Sequence, residues 1–419
     1  MRSAAPKTIT RTYLNRFGDV RAQHAGPDAD LLPVTGAQRR FLHTASLDPL
    51  ERRAVVPLFL EYPAGTVSVP RLAQAARAVV GLNPALRSTV EIVGGIPVQR
   101  VRREGDVTVE EVPDVRTALD DWPEQRGPFR LLLARESTRD LLALAFDHVA
   151  CDEFSIGLII EQLADAYAKD QDAPVAGTDP YGHAVARQLE REDAASGPEA
   201  VAHWERRLAQ AAPGHWGRGV PLNQGGPSRS VSRRVAPADL SGQARSKLFP
   251  TLLAACRLAT ADYRDVAPVS YAWGGRAADD DEPVVGCFIN TVVACPAGES
   301  DDPYEDALFG WWEDLEWADT PFDEVLRAAR RARLPWAGHL DVLLTLDDRS
   351  RRPSLVLDGV RGEECHMAGM RVQAPIVVSA SYDVRELRLR VDRDPALVPD
   401  ETAGHVADTL AARLGATAR

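Results

Sequence analysis

Residues 141–155, LLALAFDHVACDEFS, join an apolar strand to a polar segment that opens a helix. Leu141 to Val149 is almost entirely apolar, as in a buried β-strand, and Ile156 to Tyr167 has the apolar spacing of an amphipathic helix. His148 and Asp152 therefore lie where the strand ends and the helix begins. Asp152 at this turn could cap the helix and hold an arginine.

The alternation of side chains along a strand indicates where His148 points. It puts His148 on the same face as Leu144 and Phe146, toward an interior or a cleft, and Asp147 on the opposite face. On spacing alone, a core histidine beside an aspartate that caps the helix explains the pattern more simply than an active site does. Cys151 has the surroundings of a small packing residue rather than a nucleophile.

Strands and helices alternate along the rest of the chain. Strands are predicted at 55–61, 129–134, 284–293, 340–346 and 376–389, and helices at 69–80, 200–209, 248–263 and 400–414. This pattern predicts a mixed α/β fold in two lobes. We expect a loosely held N-terminal extension over residues 1–30, an N-terminal lobe over 31–175 that carries the DHxxxDE segment, and a C-terminal lobe over 176–419.

Composition disfavours several classes of protein. The 419 residues include 49 Lys and Arg against 61 Asp and Glu, a net charge of −12, whereas a duplex nucleic-acid binder needs a basic face. No apolar run has the roughly 18 residues of a membrane helix, and the first residues lack the apolar core of a secretory signal. Five cysteines without a C-x-x-C pair argue against a disulfide framework or a metal site and favour a cytoplasmic protein.

Seven segments resemble, in order, the motifs of the condensation domains of nonribosomal peptide synthetases. Signatures of nucleotide-dependent enzymes and of serine hydrolases, such as G-x-x-x-x-G-K-[ST] and G-x-S-x-G, do not occur. The third segment falls where the family has its H-H-x-x-x-D-G-x-S core. The segments are PVTGAQRRFLH (33–43), LNPALRSTV (82–90), DHVACDEFS (147–155), HWERRL (203–208), VVGCFINTVV (284–293), DTPFDEVL (319–326) and LDVLLTL (340–346).

The resemblance implies an acyltransferase of the chloramphenicol-acetyltransferase type, with two lobes in a V and a tunnel between them. A carrier protein would present an acyl group on phosphopantetheine, an amine or, less readily, a hydroxyl would attack it, and the enzyme would need no cofactor or metal of its own. His148 would orient or deprotonate the attacking amine, and Asp152 would form a structural, bidentate ion pair with Arg87. The other implied site residues are Ser155 beside Asp152, and Gly286, Asn290 and Thr291 beside the tunnel.

Two positions depart from the family's core pattern. Asp147 replaces the first histidine, a mild change because its side chain is predicted to face away from His148. Glu153 replaces the glycine, and it would either stabilise the positive end of the following helix or narrow and charge the tunnel, which would favour a cationic acceptor. Asp147, Asp152 and Ser155 also match D-x-x-x-x-D-x-x-S, the pattern of heterocyclisation domains, which lack the intervening histidine.

Three functions from different classes follow from these observations. The first is a free-standing condensation enzyme whose carrier protein acts in trans, because the chain contains no adenylation or carrier segment, and whose acceptor is a small amine or a second carrier-bound group. The second is a catalytically silent homologue that recruits another enzyme to a carrier-bound peptide. The third is a heterocyclase or an acyltransferase that uses coenzyme A. The retained pair of His148 and Asp152 favours the first, whereas Glu153 favours the second.

Overall fold

The computed structural model describes residues 7–24, 29–48, 50, 52–122, 127–169, 175–211, 216, 219–235, 243–264, 268–274, 276, 283–383 and 386–416. Its helices are α1 (Ile9–His24), α2 (Gly36–Leu47), α3 (Val69–Leu82), α4 (Val115–Asp120), α5 (Glu153–Lys169), α6 (Asp179–Ala194), α7 (Pro198–Ala209), α8 (Gln243–Arg264), α9 (Pro303–Leu315), α10 (Phe322–Arg331) and α11 (Asp400–Ala416). Its strands are β1 (Ala29–Pro33), β2 (Val55–Pro63), β3 (Ser88–Val93), β4 (Ile96–Arg102), β5 (Val109–Glu111), β6 (Phe129–Arg135), β7 (Arg139–Asp147), β8 (Arg229–Val235), β9 (Val269–Trp273), β10 (Asn290–Ala294), β11 (Val342–Asp348), β12 (Val356–Leu357), β13 (Val360–Arg361), β14 (Glu363–Cys365), β15 (Ile376–Tyr382) and β16 (Leu387–Arg393).

Two large sheets organise the molecule. The N-terminal sheet has five strands in the order β14-β2-β7-β6-β5, and the C-terminal sheet has six in the order β10-β9-β11-β15-β16-β8. Helices α3 and α5 pack together beside the N-terminal sheet, whereas α8 and α11 pack together beside the C-terminal sheet. The predicted mixture of helices and strands is therefore confirmed.

Strand β7 explains the long apolar run before His148. Its residues Leu142, Leu144 and Phe146 pack into the core shared with α3 and α5, while Leu141 and its neighbours on the other face pack into a second cluster that includes α4. Because both faces of the strand are covered, nearly every position is apolar rather than every second one. The strand pairs with β2 over its whole length, with Asp147 opposite Val55.

A short segment from the C-terminal half completes the N-terminal sheet. Strand β14, residues Glu363–Cys365, pairs antiparallel with β2 at the edge of that sheet. The two halves of the sequence are therefore linked by a shared sheet as well as by the chain. The lobe boundaries at 31–175 and 176–419 stay a prediction. Strand β14 belongs to the C-terminal half by its sequence position and to the N-terminal sheet by its pairing.

The expectation of a loosely held extension over residues 1–30 is wrong for the part that the structure describes. Residues 9–24 form α1, which buries Tyr13, Phe17 and Val20. These side chains pack into a small core with residues of β1 and β4. Their spacing is the i, i+4, i+7 stripe of an amphipathic helix, which the many polar neighbours conceal in the sequence. Residues 1–6 and 25–28 lie outside the described residues.

The other predicted elements agree with the structure except at 284–293 and 376–389. Only Asn290–Ala294 pairs in a sheet, as β10. Residues 284–289 have no regular secondary structure because their backbone groups bond to the start of α5 instead. The predicted strand at 376–389 is a hairpin made of β15 and β16.

Candidate active site

His148 lies in a tight turn directly after β7. The amide of Ala150 donates to the carbonyl of Asp147 at 2.9 Å, which closes the turn, and the His148 amide donates to the carbonyl of Ala54 at 2.8 Å. The imidazole stacks on the ring of Phe41, with 3.9 Å between ring centroids. His148 is partly exposed, whereas Phe41 is buried. The turn thus presents one edge of a well-supported imidazole to the surroundings.

The hydrogen bonds of His148 determine its tautomer. Nδ1 lies 3.0 Å from the carbonyl oxygen of Cys151. A carbonyl only accepts, so Nδ1 carries the proton and Nε2 keeps its lone pair. Loss of hydration, and secondarily the positive charge of Arg40, lower the pKa of His148 to about 4. The ring is therefore neutral at physiological pH, with Nε2 as the acceptor.

Asp147 supports the turn that carries His148. Its carboxylate accepts from Arg53 Nη1 at 2.9 Å and from the Val149 amide at 3.1 Å. Burial raises its pKa, while Arg53 opposes that shift. The cysteine that follows in the same segment, Cys151, is fully buried, and burial raises the pKa of its thiol well above the ordinary value. A buried thiol of this kind is a packing group rather than a nucleophile.

Asp152 is a fully buried carboxylate whose partners come from both halves of the chain. Both of its oxygens accept from Arg276 Nη2 at 3.0 Å, and one accepts from the Phe288 amide at 3.1 Å. Within α5, the amide of Ser155 donates to Asp152 at 2.9 Å, and Ser155 Oγ lies 2.7 Å from the same oxygen. Asp152 therefore joins the start of α5 to the C-terminal half, a structural role.

The predicted ion pair between Arg87 and Asp152 does not form. Arg87 is buried, but its guanidinium donates to the backbone carbonyls of Arg102 and Ala176. The acceptor sites of Asp152 are already occupied by Arg276 and by amides, so the arginine that neutralises it comes from 124 residues further along the chain. Nothing in the sequence around Arg276 distinguishes it from the many other arginines, and the sequence analysis did not identify it.

The residues of the C-terminal motif have separate roles. Gly286 lies at the junction, where its amide donates to Ser155 Oγ at 3.0 Å and its carbonyl accepts from the Asp152 amide at 3.1 Å. A Cβ at this glycine would lie 2.3 Å from the ring of Phe288, so a side chain there does not fit. Asn290 instead donates to two backbone carbonyls between α9 and α10, and Thr291 is buried within β10.

Glu153 occupies the first turn of α5 and forms an ion pair with Arg352. The same guanidinium lies 2.8 Å from Asp347 and 3.0 Å from Glu364, so three carboxylates share one arginine. The side chain of Glu153 is half exposed. Its predicted influence on the width or charge of a tunnel stays a prediction.

A cavity of about 230 Å³ lies between the two halves of the chain, and we call it the central cavity. His148 does not line it directly, but Ala54, which accepts from the His148 amide, does, and so does Arg40, the neighbour of Phe41. The other lining residues come from the end of α2, from α4, and from segments 48–55, 219–223, 338–341 and 370–375. The cavity is thus adjacent to the elements that hold His148.

Two further features of the described residues bear on the class of site. Among them, no group of three or more histidine, cysteine or carboxylate side chains is arranged to hold a metal ion. No helix in the described part of the chain is long and apolar enough to cross a membrane.

Sequence comparisons connect this chain to peptide synthetases. Residues 28–216 match the model of the condensation domain family. The chain is 24% identical to chondramide synthase cmdD of Chondromyces crocatus over 92% of its own length, and 25% identical to surfactin synthase subunit 1 of Bacillus subtilis over 64%. It spans only 11% and 8% of those two relatives, respectively.

Solved structures share the fold over nearly the whole chain. The X-domain in its complex with OxyB from teicoplanin biosynthesis superposes with a TM-score of 0.70 at 17% identity, covering 94% of each chain. The first condensation domain of the CDA synthetase superposes with a TM-score of 0.69 at 16% identity, covering 94% of this chain and 98% of that one. The predicted chloramphenicol-acetyltransferase-like fold is thereby confirmed. Residues 28–216 therefore match the condensation-domain family, and nearly the whole chain shares the fold of the condensation domains of peptide synthetases.

Proposed function

We propose that this chain transfers an acyl group from a phosphopantetheine thioester on a carrier protein to an amine, with His148 as the catalytic residue. The observation that carries the proposal is the tautomer of His148, whose Nδ1 donates to Cys151 and whose Nε2 has no hydrogen-bond partner among the described residues. A neutral imidazole with one free nitrogen is the group that can accept a proton from an attacking amine. The match of residues 28–216 to the condensation domain family supports the same chemistry.

The reaction balances without any further reagent. The nitrogen of a neutral amine attacks the thioester carbonyl and forms the C–N bond, while an N–H of the amine donates to His148 Nε2. The C–S bond then breaks, and the proton passes from the amine to the departing thiolate. Because an ordinary thiol has a pKa near 8.5, whereas the pKa of His148 is about 4, the imidazole releases the proton to sulfur readily.

The test is turnover with loaded carrier proteins. Acyl-loaded carriers are incubated with candidate amines, and mass spectrometry detects the product. His148→Ala is expected to lower turnover by roughly 10²–10⁴-fold, the range for a positioned acid–base group. His183→Ala, which removes an exposed histidine on α6, is the matched control and is expected to retain full turnover. Acyl-coenzyme A replaces the loaded carrier in a parallel reaction. Turnover with acyl-coenzyme A but not with the loaded carrier would identify coenzyme A, rather than a carrier protein, as the source of the acyl group.

Recruitment of another enzyme is the second candidate. The observation that favours it is Glu153, which stands in place of the family's glycine and is held by Arg352 at the start of α5. The X-domain, which shares this fold, was solved in a complex with OxyB. A wild-type chain that binds loaded carriers but turns over none of them, and whose binding is unaffected by His148→Ala, would replace the catalytic proposal with this one.

A further inference from the structure

Arg40 of α2 lies in the lining of the central cavity without a matching carboxylate. The residue is only 5% exposed, and its Nε has no hydrogen-bond partner in the described residues. No carboxylate of the described chain lies within 4.0 Å of its guanidinium. Three other arginines of this cavity do have such partners: Arg52 with Asp48 at 2.8 Å, Arg53 with Asp147 at 2.9 Å, and Arg371 with Asp120 at 3.2 Å.

Aromatic rings provide part of the missing compensation. The guanidinium carbon of Arg40 lies 4.8 Å from the ring centroid of Phe41 and 5.6 Å from that of Phe322. Burial lowers the pKa of Arg40 to about 10, so the group still carries its charge at neutral pH. Ring faces attract a cation more weakly than a carboxylate does, and an unpaired buried charge is costly to maintain. An anion supplied by a ligand would relieve that cost.

The position of Arg40 limits which anion this can be. Phe41 contacts both groups: His148 stacks on its ring with 3.9 Å between centroids, and the guanidinium carbon of Arg40 lies 4.8 Å from the centroid of the same ring. An oxyanion bound by Arg40 therefore lies near the reacting centre. The phosphate of a phosphopantetheine arm is a whole arm's length away from the thioester, so it does not suit this position. A carboxylate borne by the attacking amine does.

We propose that Arg40 binds the free carboxylate of the acceptor, and hence that the acceptor is a small amine carrying a carboxylate, in the manner of an amino acid. A carrier-bound aminoacyl group has no free carboxylate, since its carboxyl carbon forms the thioester. The cavity volume of about 230 Å³ also suits a small molecule. This inference rests on the proposed acyl transfer, because only that reaction has an acceptor. Binding of an amino acid to Arg40 can nevertheless be measured without turnover.

The test compares amino acids with their amides. The full chain, without carrier or donor, is titrated calorimetrically with a panel of amino acids and with the corresponding carboxamides, which retain the amine but lose the negative charge. At least one acid is expected to bind roughly 10- to 100-fold more tightly than its amide, the range for a charge-assisted hydrogen-bonded pair. Arg40→Gln is expected to remove that difference, and Arg40→Lys to restore part of it, because lysine keeps the charge but lacks the fork.

Controls separate binding from stability. Arg139→Gln makes the same chemical change at an exposed ion pair on the β6–β7 turn and is expected to keep the full preference for the acid. If Arg40 only packs between Phe41 and Phe322, Arg40→Gln will lower the melting temperature while acid and amide bind equally in the wild type. Should Arg40→Gln fail to fold, Arg40→Lys alone provides the comparison, and an unchanged preference in that variant would contradict bidentate binding.

The remaining outcomes distinguish this inference from the proposed function. A wild type that binds no acid more tightly than its amide overturns the inference, as does displacement of the acid by inorganic phosphate at much lower concentration. Selective acid binding without any turnover overturns the proposed acyl transfer and leaves the anion site in place. Turnover of acids and amides at equal rates, unaffected by Arg40→Gln, supports acyl transfer and overturns the assignment of Arg40.

Discussion

At the scale of single residues, the environment of His148 holds the imidazole neutral. The ring stacks on Phe41, donates through Nδ1 to Cys151, and lies in the field of Arg40. Burial, and secondarily the charge of Arg40, lower the pKa of the ring, and the bond to Cys151 opposes them only in part. A neutral ring serves the proposed chemistry, since a protonated one cannot accept from an amine. Protonation is therefore linked to folding, because the unfolded chain binds this proton more readily than the folded one.

Stability should therefore depend on the protonation of His148. Its folded pKa of about 4 is below the ordinary 6.5, so between those values the unfolded state binds more protons, and this group makes the free energy of unfolding rise with pH. The stabilisation is complete above about pH 6.5 and is lost as the pH falls toward 4, by up to about 3 kcal/mol. Urea unfolding of wild type and His148→Gln at pH 7.5 and pH 5 measures it. Carboxylates titrate alike in both proteins, so an identical pH dependence in the two would contradict the prediction.

At the scale of secondary structure elements, α1 is attached by a narrow apolar stripe. Tyr13, Phe17 and Val20 are its buried apolar residues, and they pack on β1 and β4 rather than on either large sheet. The hydroxyl of Tyr13 also accepts from the Val34 amide at 2.7 Å and donates to the Pro97 carbonyl at 2.9 Å. The helix thus holds the chain just before α2, the element that carries Arg40 and Phe41.

Removal of one ring from this stripe should be costly. Phe17 is 6% exposed, and Phe17→Ala is expected to lower the free energy of unfolding by about 3–5 kcal/mol, the cost of deleting a buried aromatic side chain. Asn15→Ala changes an exposed position on the same helix and is expected to change stability by less than about 0.5 kcal/mol. Denaturant titrations of both variants provide the comparison. Equal midpoints would mean that α1 is not docked in solution.

At the scale of the whole molecule, two of the contacts that join the halves of the chain involve the N-terminal sheet and the start of α5. One is strand β14, which completes the N-terminal sheet. The other is Asp152, whose carboxylate is bonded to Arg276 and to the Phe288 amide. Arg276 is itself placed between the rings of Phe154 and Phe288, at 4.4 Å and 4.8 Å. The ion pair therefore lies at the junction of the two halves, and Asp152 follows directly after the turn that carries His148.

Double-mutant cycles can separate the observed ion pair from the one that the sequence predicted. Asp152→Ala and Arg276→Ala should each cost on the order of 3–5 kcal/mol, because each leaves a buried charge unpaired, and the double variant should cost less than the sum by about 1–3 kcal/mol. The cycle of Asp152→Ala with Arg87→Ala should be additive within about 0.5 kcal/mol, since the partners of Arg87 in the described part of the chain are backbone carbonyls. A larger coupling for Arg87 than for Arg276 would restore the original pairing.

The sequence by itself determined the local elements and the position of the candidate site within them. The apolar run of β7 and the helical spacing of α3 and α5 are periodic signals, and periodicity depends only on residues that are close in sequence. For the same reason His148 could be assigned to the end of a strand and Asp152 to the start of a helix. The fold class followed from the order of these elements together with the resemblance to a known family.

Tertiary structure alone decided which groups meet across the chain. Arg276 rather than Arg87 neutralises Asp152. A buried carboxylate pairs with the cation that the packing of the chain places beside it, and sequence spacing does not predict which cation that is. Residues 284–289 are apolar enough to predict a strand, but Gly286 and Phe288 bond to residues at the start of α5, which are distant in the sequence. Arg40 likewise lacks a carboxylate partner in the described structure because it is buried against the rings of Phe41 and Phe322. The residues next to Arg40 in the sequence do not predict this environment.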